Sequence, residues 1–200
     1  MIQLPRLYAI VDSLAAGEAM LRAGVRLLQY RHKGGFERRH LEECSRLAGL
    51  ARQAGAILIV NDRADVALLA GADGVHVGQA DLPPDAVRRF LGGEKLLGYS
   101  THNEAQARAA ETLPVDYVAI GPVFTTSSKE NPDPVVGLEG VAAARRATTK
   151  PLVAIGGITR ENAAAVLAAG ADSVAVVRDL LASPDIESVA RDFLQRLVSG

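Results

Sequence analysis

Residues 57–77 have the sequence ILIVNDRADVALLAGADGVHV, which contains the pattern of a strand, a helix and a second strand. ILIVN and GVHV are short aliphatic runs, and nearly continuous apolar runs are typical of parallel strands buried on both faces. The segment between them ends on Ala70-Gly71, and glycine is the usual residue where a helix ends in a left-handed conformation. This stretch therefore predicts one β–α–β unit.

The same unit recurs along the whole chain. Ala-Gly pairs also occur at 23–24, 54–55 and 169–170, and the predicted helix 40–53 places Leu41, Cys44 and Leu47 on one apolar face. Aliphatic runs predict eight strands, at residues 7–12, 25–31, 57–61, 74–77, 95–100, 117–121, 152–155 and 173–177. Since crossovers between parallel strands are right-handed, eight such units can close into a barrel.

We therefore predict an α/β protein with a (β/α)8 TIM-barrel fold in a single domain, residues 1–200. The alternative is a doubly wound open sheet, which would carry a glycine-rich turn after its first strand. The residues that follow that strand, Asp12-Ser13-Leu14, do not form such a turn.

Composition excludes several classes of function. The net charge is -1, so no basic field indicates binding to nucleic acid. No apolar stretch approaches the roughly 20 residues of a membrane helix, and the N-terminus does not resemble a signal peptide. Cys44 is the one cysteine, so an internal disulfide is impossible, and its apolar surroundings predict a buried, inert thiol. These features predict a cytoplasmic protein without membrane contact.

Three polar side chains lie at the end of the second predicted strand. Alternation places Gln29, Arg31 and Lys33 on one face, with Tyr30 and His32 on the other. If the first face lines the barrel, two cations point into a site, and buried cations need an anion nearby. The sequence favours a phosphate or diphosphate site, and the alternative is a solvated strand end.

Two aspartates follow neighbouring strands. Asp62 comes directly after the third strand, and Asp81 lies four residues beyond the fourth. Mg²⁺ is commonly held by one or two carboxylates, waters and substrate phosphate oxygens, so the pair predicts a magnesium site. Each aspartate alone could instead cap the helix that follows it.

Two further segments indicate a second phosphate. Gly156-Gly157 follows the seventh strand and precedes a predicted helix at 159–167, an arrangement that presents backbone N–H groups to an anion. A tight turn without a ligand is the alternative. Thr126, Ser128 and Lys129 lie in the long irregular segment 124–137, which predicts either a loop over the site or a polar surface loop. Of the histidines, we predict His40 on a helix surface and His76 in the core or lining a strand.

These residues resemble the thiamine phosphate synthase family, whose members are (β/α)8 barrels. Seven motifs carry the resemblance in order along essentially the whole chain: LQYRHK, VNDR, DGVHVGQADL, GYSTHN, YVAIGPVFTTSSKENPDP, VAIGGIT and AGADSVAVV. Each motif is short, and the seven together are specific.

The resemblance implies a role for each matching residue. Catalysis would use Arg31, Lys33, Lys129 and Ser100. The pyrimidine diphosphate substrate would lie against Gln29, Tyr30, Arg31, His32, Lys33, Asn61, Ser100 and Lys129. The thiazole phosphate would lie against Thr126, Ser127, Ser128, Gly157, Val177 and Arg178. Asp62 and Asp81 would bind the Mg²⁺ cofactor.

The resemblance also implies the reaction. Diphosphate leaves hydroxymethylpyrimidine diphosphate, and the thiazole nitrogen captures the resulting pyrimidine cation to give thiamine phosphate. The expected partners are these small molecules. The sequence leaves open whether the protein forms a homo-oligomer. This sequence departs from the family at Arg178, where serine is common, and at Ser128, where threonine is frequent. If the contact at Arg178 uses the backbone N–H, the first departure changes nothing.

Three other functions compete with this one. A thiazole tautomerase-like isomerase tends to lose the metal aspartates and to carry histidine where this chain has Pro122. A phosphosugar isomerase would require an acid–base pair, which the sequence does not reveal. A ligand-binding barrel without activity would bind the substrates without turnover.

Overall fold

The structure is a computed structural model that describes residues 2–32, 34–126 and 133–198. Eight strands occur in these ranges: β1 Leu7–Val11, β2 Leu27–Tyr30, β3 Ile57–Asn61, β4 Gly74–Val77, β5 Leu96–Thr101, β6 Tyr117–Ile120, β7 Leu152–Ile155 and β8 Ser173–Val176. Helices follow the strands: α1 Leu14–Ala23, α2 Arg38–Gln53, α3 Ala64–Leu69, α4 Pro84–Leu91, α5 Glu104–Ala110, α6 Gly137–Ala147, α7 Ala163–Ala168, α8 Arg178–Leu181 and α9 Ile186–Val198.

The strands form a closed parallel barrel in chain order, and β8 pairs with β1 to complete it. This arrangement confirms the predicted (β/α)8 TIM barrel, and each strand lies within about two residues of its predicted bounds. No helix in the described part of the chain is long and apolar enough to cross a membrane.

Side chains alternate between the barrel interior and the layer of helices. In β1, Tyr8 and Ile10 belong to the inner cluster, whereas Leu7 packs in the cluster shared with the helices. The buried Cys44 belongs to the outer cluster, and burial raises the pKa of its thiol to about 12, which agrees with an inert cysteine. The period of two thus decides which polar residues can reach the interior.

The predicted helix ends use the expected backbone conformation. The glycines of all four Ala-Gly pairs have positive φ: 102° at Gly24, 64° at Gly55, 68° at Gly71 and 112° at Gly170. Because only glycine adopts this region without steric cost, each of these four glycines ends the helix before it and directs the chain into the next strand.

The predicted surface position of His40 is wrong. Helix α2 begins at Arg38, which puts His40 in its first turn, and the side chain is only 3% exposed. Its Nδ1 accepts the backbone N–H of Glu37 at 2.9 Å, and its ring stacks on His32 with 3.8 Å between centroids. The side chain folds back over the helix start because it completes a capping box there, instead of extending into solvent.

Candidate active site

The carboxyl ends of the eight parallel strands meet at one mouth of the barrel, where the active sites of this architecture lie. Of the predicted site residues, this end carries Gln29, Arg31, Asn61, Asp62, Asp81, Ser100, Gly157, Val177 and Arg178. Thr126 follows β6 at the same end. Lys33, Ser127, Ser128 and Lys129 lie outside the described residues.

The backbone at Asp62 is held in an uncommon conformation. Its φ is 61°, in the left-handed region that few residues other than glycine adopt. Its N–H donates to the carbonyl of His76 on β4 at 2.8 Å, so the neighbouring strand fixes the turn. Strained positions of this kind concentrate at functional sites. The N-cap of α3 is Arg63, so the alternative that Asp62 caps this helix is wrong.

The carboxyls of Asp62 and Asp81 lie within hydrogen-bonding reach of each other. The pKa of Asp62 is raised to about 6, first by partial desolvation and then by the charge of Asp81. The guanidinium of Arg31 and the amide of Asn61 act in the opposite direction on the pKa of Asp62. Four predicted site residues are therefore neighbours at the mouth.

Asp81 is oriented by its own loop. Its Oδ2 accepts the N–H of Gly78 at 2.7 Å, and the N-cap of α4 is Pro83, so Asp81 does not cap that helix either. The two aspartates repel each other when both are charged, and a divalent cation removes that repulsion. In the described ranges, no further acidic residue, histidine or cysteine joins the two aspartates in a metal-binding group. Two carboxylates match what Mg²⁺ usually takes from a protein, so these residues fit the ion.

The outer face of β2 does not contribute side chains to the mouth. Tyr30 is buried against the helices, and its hydroxyl donates to Glu43 of α2 at 2.7 Å. His32 stacks on His40 of the same helix. The alternation of the strand thus points the Tyr30 side chain away from the mouth, and the expectation that Tyr30 and His32 lie against the pyrimidine substrate stays a prediction. Alternation predicted this orientation for both residues.

The barrel interior contains a hydrogen-bonded network that the sequence did not reveal. Gln29 donates to the Tyr8 hydroxyl at 2.9 Å, and the Tyr8 and Tyr117 hydroxyls are 3.0 Å apart. The Tyr117 hydroxyl lies 3.1 Å from Nδ1 of His76, and Nε2 of His76 lies 2.8 Å from Oγ of Ser100. The prediction that His76 lies in the core or lines a strand is confirmed. Tyr8 and Tyr117 were missed, although their position in apolar strands with period two was a usable signal.

Burial makes the imidazole of His76 hard to protonate. Desolvation lowers its pKa to about 4, and the more distant charge of Asp81 opposes this effect. His76 is therefore neutral near neutral pH. The unfolded chain binds a proton at His76 near its ordinary pKa of 6.5, so acid favours the unfolded state.

Acid is therefore expected to destabilise the protein through His76. Between about pH 7 and about pH 5 this group should cost about 2 kcal/mol of unfolding free energy, and the loss should continue until the pH falls below about 4. Urea unfolding of the wild type and of His76→Gln at the two pH values measures the difference. An equal pH dependence in both proteins would contradict the burial of a neutral imidazole.

The glycine turn after β7 differs in part from its prediction. Gly156 and Gly157 have φ of 103° and 64°, and a Cβ on Gly157 would lie 2.7 Å from the Thr125 carbonyl oxygen. The turn therefore needs glycine, because the chain after β6 packs directly against it. The predicted helix start at 159 is wrong: α7 begins at Ala163, because Asn162 accepts the N–H of Thr159 and forms a turn first. Helix α8 instead begins directly after β8, at Arg178, beside Val177.

Comparison with known proteins identifies the family of the chain. A family model described as thiamine monophosphate synthase matches residues 7–180. The thiamine-phosphate synthase of Koribacter versatilis is 50% identical, over 99% of this chain and 98% of the relative. That of Chloroflexus aurantiacus is 45% identical, over 97% and 93%.

Solved structures give the same result. The thiamine phosphate pyrophosphorylase of Pyrococcus furiosus superposes with a TM-score of 0.89 at 31% identity, over 97% of this chain and 96% of that one. Phosphoribosyl anthranilate isomerase of Thermus thermophilus, at 16% identity and a TM-score of 0.73, shares the barrel fold alone. The chain therefore belongs to the thiamine monophosphate synthase family.

Proposed function

We propose that this chain is a thiamine phosphate synthase, which condenses hydroxymethylpyrimidine diphosphate with thiazole phosphate and releases diphosphate. The observation that carries the proposal is the pair of adjacent carboxyls, Asp62 and Asp81, with Arg31 beside them at the mouth of the barrel. Charges of both signs are needed there, because carboxylates hold a cation and a guanidinium binds diphosphate oxygens.

The proposed metal ligands are Asp62 and Asp81. When bound, Mg²⁺ would supply positive charge to the oxygens of the leaving diphosphate. The left-handed turn at Asp62 and the Gly78 N–H donated to Asp81 fix the two carboxyls before any ligand arrives. Side chains that are already in place need little rearrangement during the reaction, which is how charge stabilisation lowers a barrier.

The cationic side chains would act on the leaving group. Arg31 would bind the diphosphate, and Lys33 and Lys129, which lie outside the described residues, are proposed to add charge to it. As the bond to carbon breaks, negative charge accumulates on the diphosphate, and a guanidinium beside it would stabilise that charge more than it stabilises the intact substrate.

Capture of the pyrimidine cation by the thiazole nitrogen needs no general base, because the nucleophile is a ring nitrogen. The requirement is that both substrates lie together and that water is excluded. The glycine turn at Gly157, the start of α8 at Arg178 and the segment that contains Thr126 are the proposed site of the thiazole phosphate. Gly157, Arg178 and Thr126 follow barrel strands at the same end as Asp62.

The proposal is tested by incubating the purified protein with both substrates and Mg²⁺. Thiamine phosphate and diphosphate are expected in equal amounts, measured by chromatography and by a coupled phosphate assay. Omission of the thiazole phosphate, or addition of a chelator, should prevent formation of thiamine phosphate. If saturating substrates and Mg²⁺ give no product, the proposed function is wrong.

A further inference from the structure

Five polar side chains form one continuous line across the barrel interior. They come from five different strands: Gln29 from β2, Tyr8 from β1, Tyr117 from β6, His76 from β4 and Ser100 from β5. The line begins with a buried amide and ends at Ser100, close to the mouth of the barrel. We call it the interior relay.

The donors and acceptors of the interior relay favour one direction for its hydrogen bonds, since the reverse direction leaves a buried proton without an acceptor. The amide nitrogen of Gln29 is a donor and cannot accept, so it occupies a lone pair of the Tyr8 oxygen. The buried Tyr8 proton needs an acceptor, and the Tyr117 oxygen at 3.0 Å is the one that the described residues offer. Since Tyr117 accepts from Tyr8, its own proton goes to the next neighbour in the relay.

That neighbour is Nδ1 of His76, 3.1 Å away, which must therefore be the unprotonated nitrogen. A neutral imidazole carries one proton, so this proton lies on Nε2 and is donated to Oγ of Ser100 at 2.8 Å. Both tyrosines keep their protons, because burial raises the pKa of Tyr8 and of Tyr117 above the ordinary value.

We propose that His76 is a positioning residue, held by Tyr117 as the Nε2–H tautomer, which makes Ser100 present its hydroxyl proton to a hydrogen-bond acceptor on the bound substrate. This inference rests on the proposed function, because the pyrimidine diphosphate is the substrate that Ser100 would contact. Ring nitrogens and diphosphate oxygens are the acceptors that such a molecule offers. The relay thus determines that Ser100 is the donor, and the substrate the acceptor, in one hydrogen bond of the site.

Strand β5 lies between the strands that carry His76 and Tyr117, and it has a glycine where the two rings meet. A Cβ on Gly98 of β5 would lie 2.1 Å from Cζ of Tyr117 and 2.4 Å from Nδ1 of His76. The hydrogen bond between Tyr117 and His76 therefore depends on a position without a side chain. The Gln79 amide donates to the Ser100 carbonyl at 2.6 Å, which fixes the backbone at the end of the relay.

The tautomer can be measured without substrate. In protein labelled with ¹⁵N-histidine, the chemical shifts of the two ring nitrogens of His76 identify which one carries the proton, and His76→Gln assigns the signals. The proton is expected on Nε2 in the wild type. In Tyr117→Phe, Nδ1 loses its donor and a mixture of both tautomers is expected. Tyr8→Phe should give the same mixture, because the Tyr117 oxygen is then free to accept from His76.

Kinetics provide the second measurement. Tyr117→Phe should lower kcat/KM for the pyrimidine diphosphate about tenfold, the effect of losing one well-placed hydrogen bond. KM for the thiazole phosphate should stay within about twofold of the wild-type value, because the change affects a contact to the pyrimidine diphosphate only. Tyr99→Phe is the matched control: Tyr99 lies on β5 but packs in the outer layer, so tautomer and kinetics should not change.

Two tautomer results would overturn the proposal: a His76 proton on Nδ1 in the wild type, or an Nε2–H tautomer that persists in both Tyr117→Phe and Tyr8→Phe. A Tyr117→Phe protein with mixed tautomers and unchanged kcat/KM would also overturn it, because the relay would then have no effect on the substrate. If the wild type forms no thiamine phosphate at all, the proposed function fails, and the assignment of the relay is still decided by the tautomer measurement.

Discussion

Changing Asp62 to asparagine is expected to lower magnesium-dependent turnover by roughly 10²–10³-fold, the usual cost of removing a fixed charge from a site of charge stabilisation. The same change should leave the fold intact. Asparagine has the same shape and tolerates the left-handed φ of 61° at this position. Partial desolvation and the charge of Asp81 together raise the pKa of Asp62 to about 6, and removal of the carboxylate ends the repulsion between the two groups.

Free energy of unfolding without metal should therefore rise slightly in Asp62→Asn. Solvent reaches this exposed side chain and weakens the repulsion, so the gain should be no more than ~1 kcal/mol. The Mg²⁺ concentration for half-maximal rate should increase as well. The control is Asp65→Asn, three residues away, where the carboxylate pairs with Arg63 on the surface. Turnover in the control should not change; a rate within threefold of the wild type in Asp62→Asn would contradict the metal assignment.

The barrel could be predicted from sequence because its signals are local. Each strand is a short aliphatic run, and four of the helices end on an Ala-Gly pair whose glycine takes positive φ. Parallel strands are buried on both faces, so their runs lack interruptions and are easily recognised. Helix starts were harder to place: α2 and α7 differ from prediction because side-chain caps at His40 and Asn162 decide where the first turn forms.

Part of the site could also be predicted from the order of the strands. Asp62 and Asp81 follow neighbouring strands of a parallel barrel, so their proximity follows from the topology alone. Sequence left open whether either one caps a helix, since an aspartate before a helix fits both interpretations. The structure decides this, because neither residue is the N-cap of its following helix.

The interior relay could not be derived in the same way. Its members are up to 109 residues apart in sequence, and contact between them depends on the stagger of strands around the closed barrel. A tyrosine in an aliphatic run, such as Tyr8 or Tyr117, is ordinarily interpreted as core. Only the structure shows that the two hydroxyls pair with each other and that the Tyr117 hydroxyl, packed against Gly98, also pairs with His76.

Gly98→Ala is expected to cost about 3–5 kcal/mol of unfolding free energy, a large share of the roughly 5–15 kcal/mol that stabilises a typical domain. The added methyl would lie 2.1 Å from Cζ and 2.3 Å from the hydroxyl oxygen of Tyr117. Tyr117 and His76 are rigid, buried rings on the two strands that flank β5, so neither can move aside without loss of their hydrogen bond. Each buried polar group left without a partner adds about 1–3 kcal/mol to the cost.

Gly49→Ala is the matched control for this change, and its expected effect has the opposite sign. Gly49 lies within α2, and a methyl group added there would meet no atom within 4 Å, so alanine should stabilise that helix by about 1 kcal/mol. Urea unfolding measures both variants. Combining Gly98→Ala with Tyr117→Leu should recover part of the lost free energy, because the smaller side chain makes room for the methyl group. A Gly98→Ala protein within about 1 kcal/mol of the wild type would contradict the close packing of Tyr117 and His76 against β5.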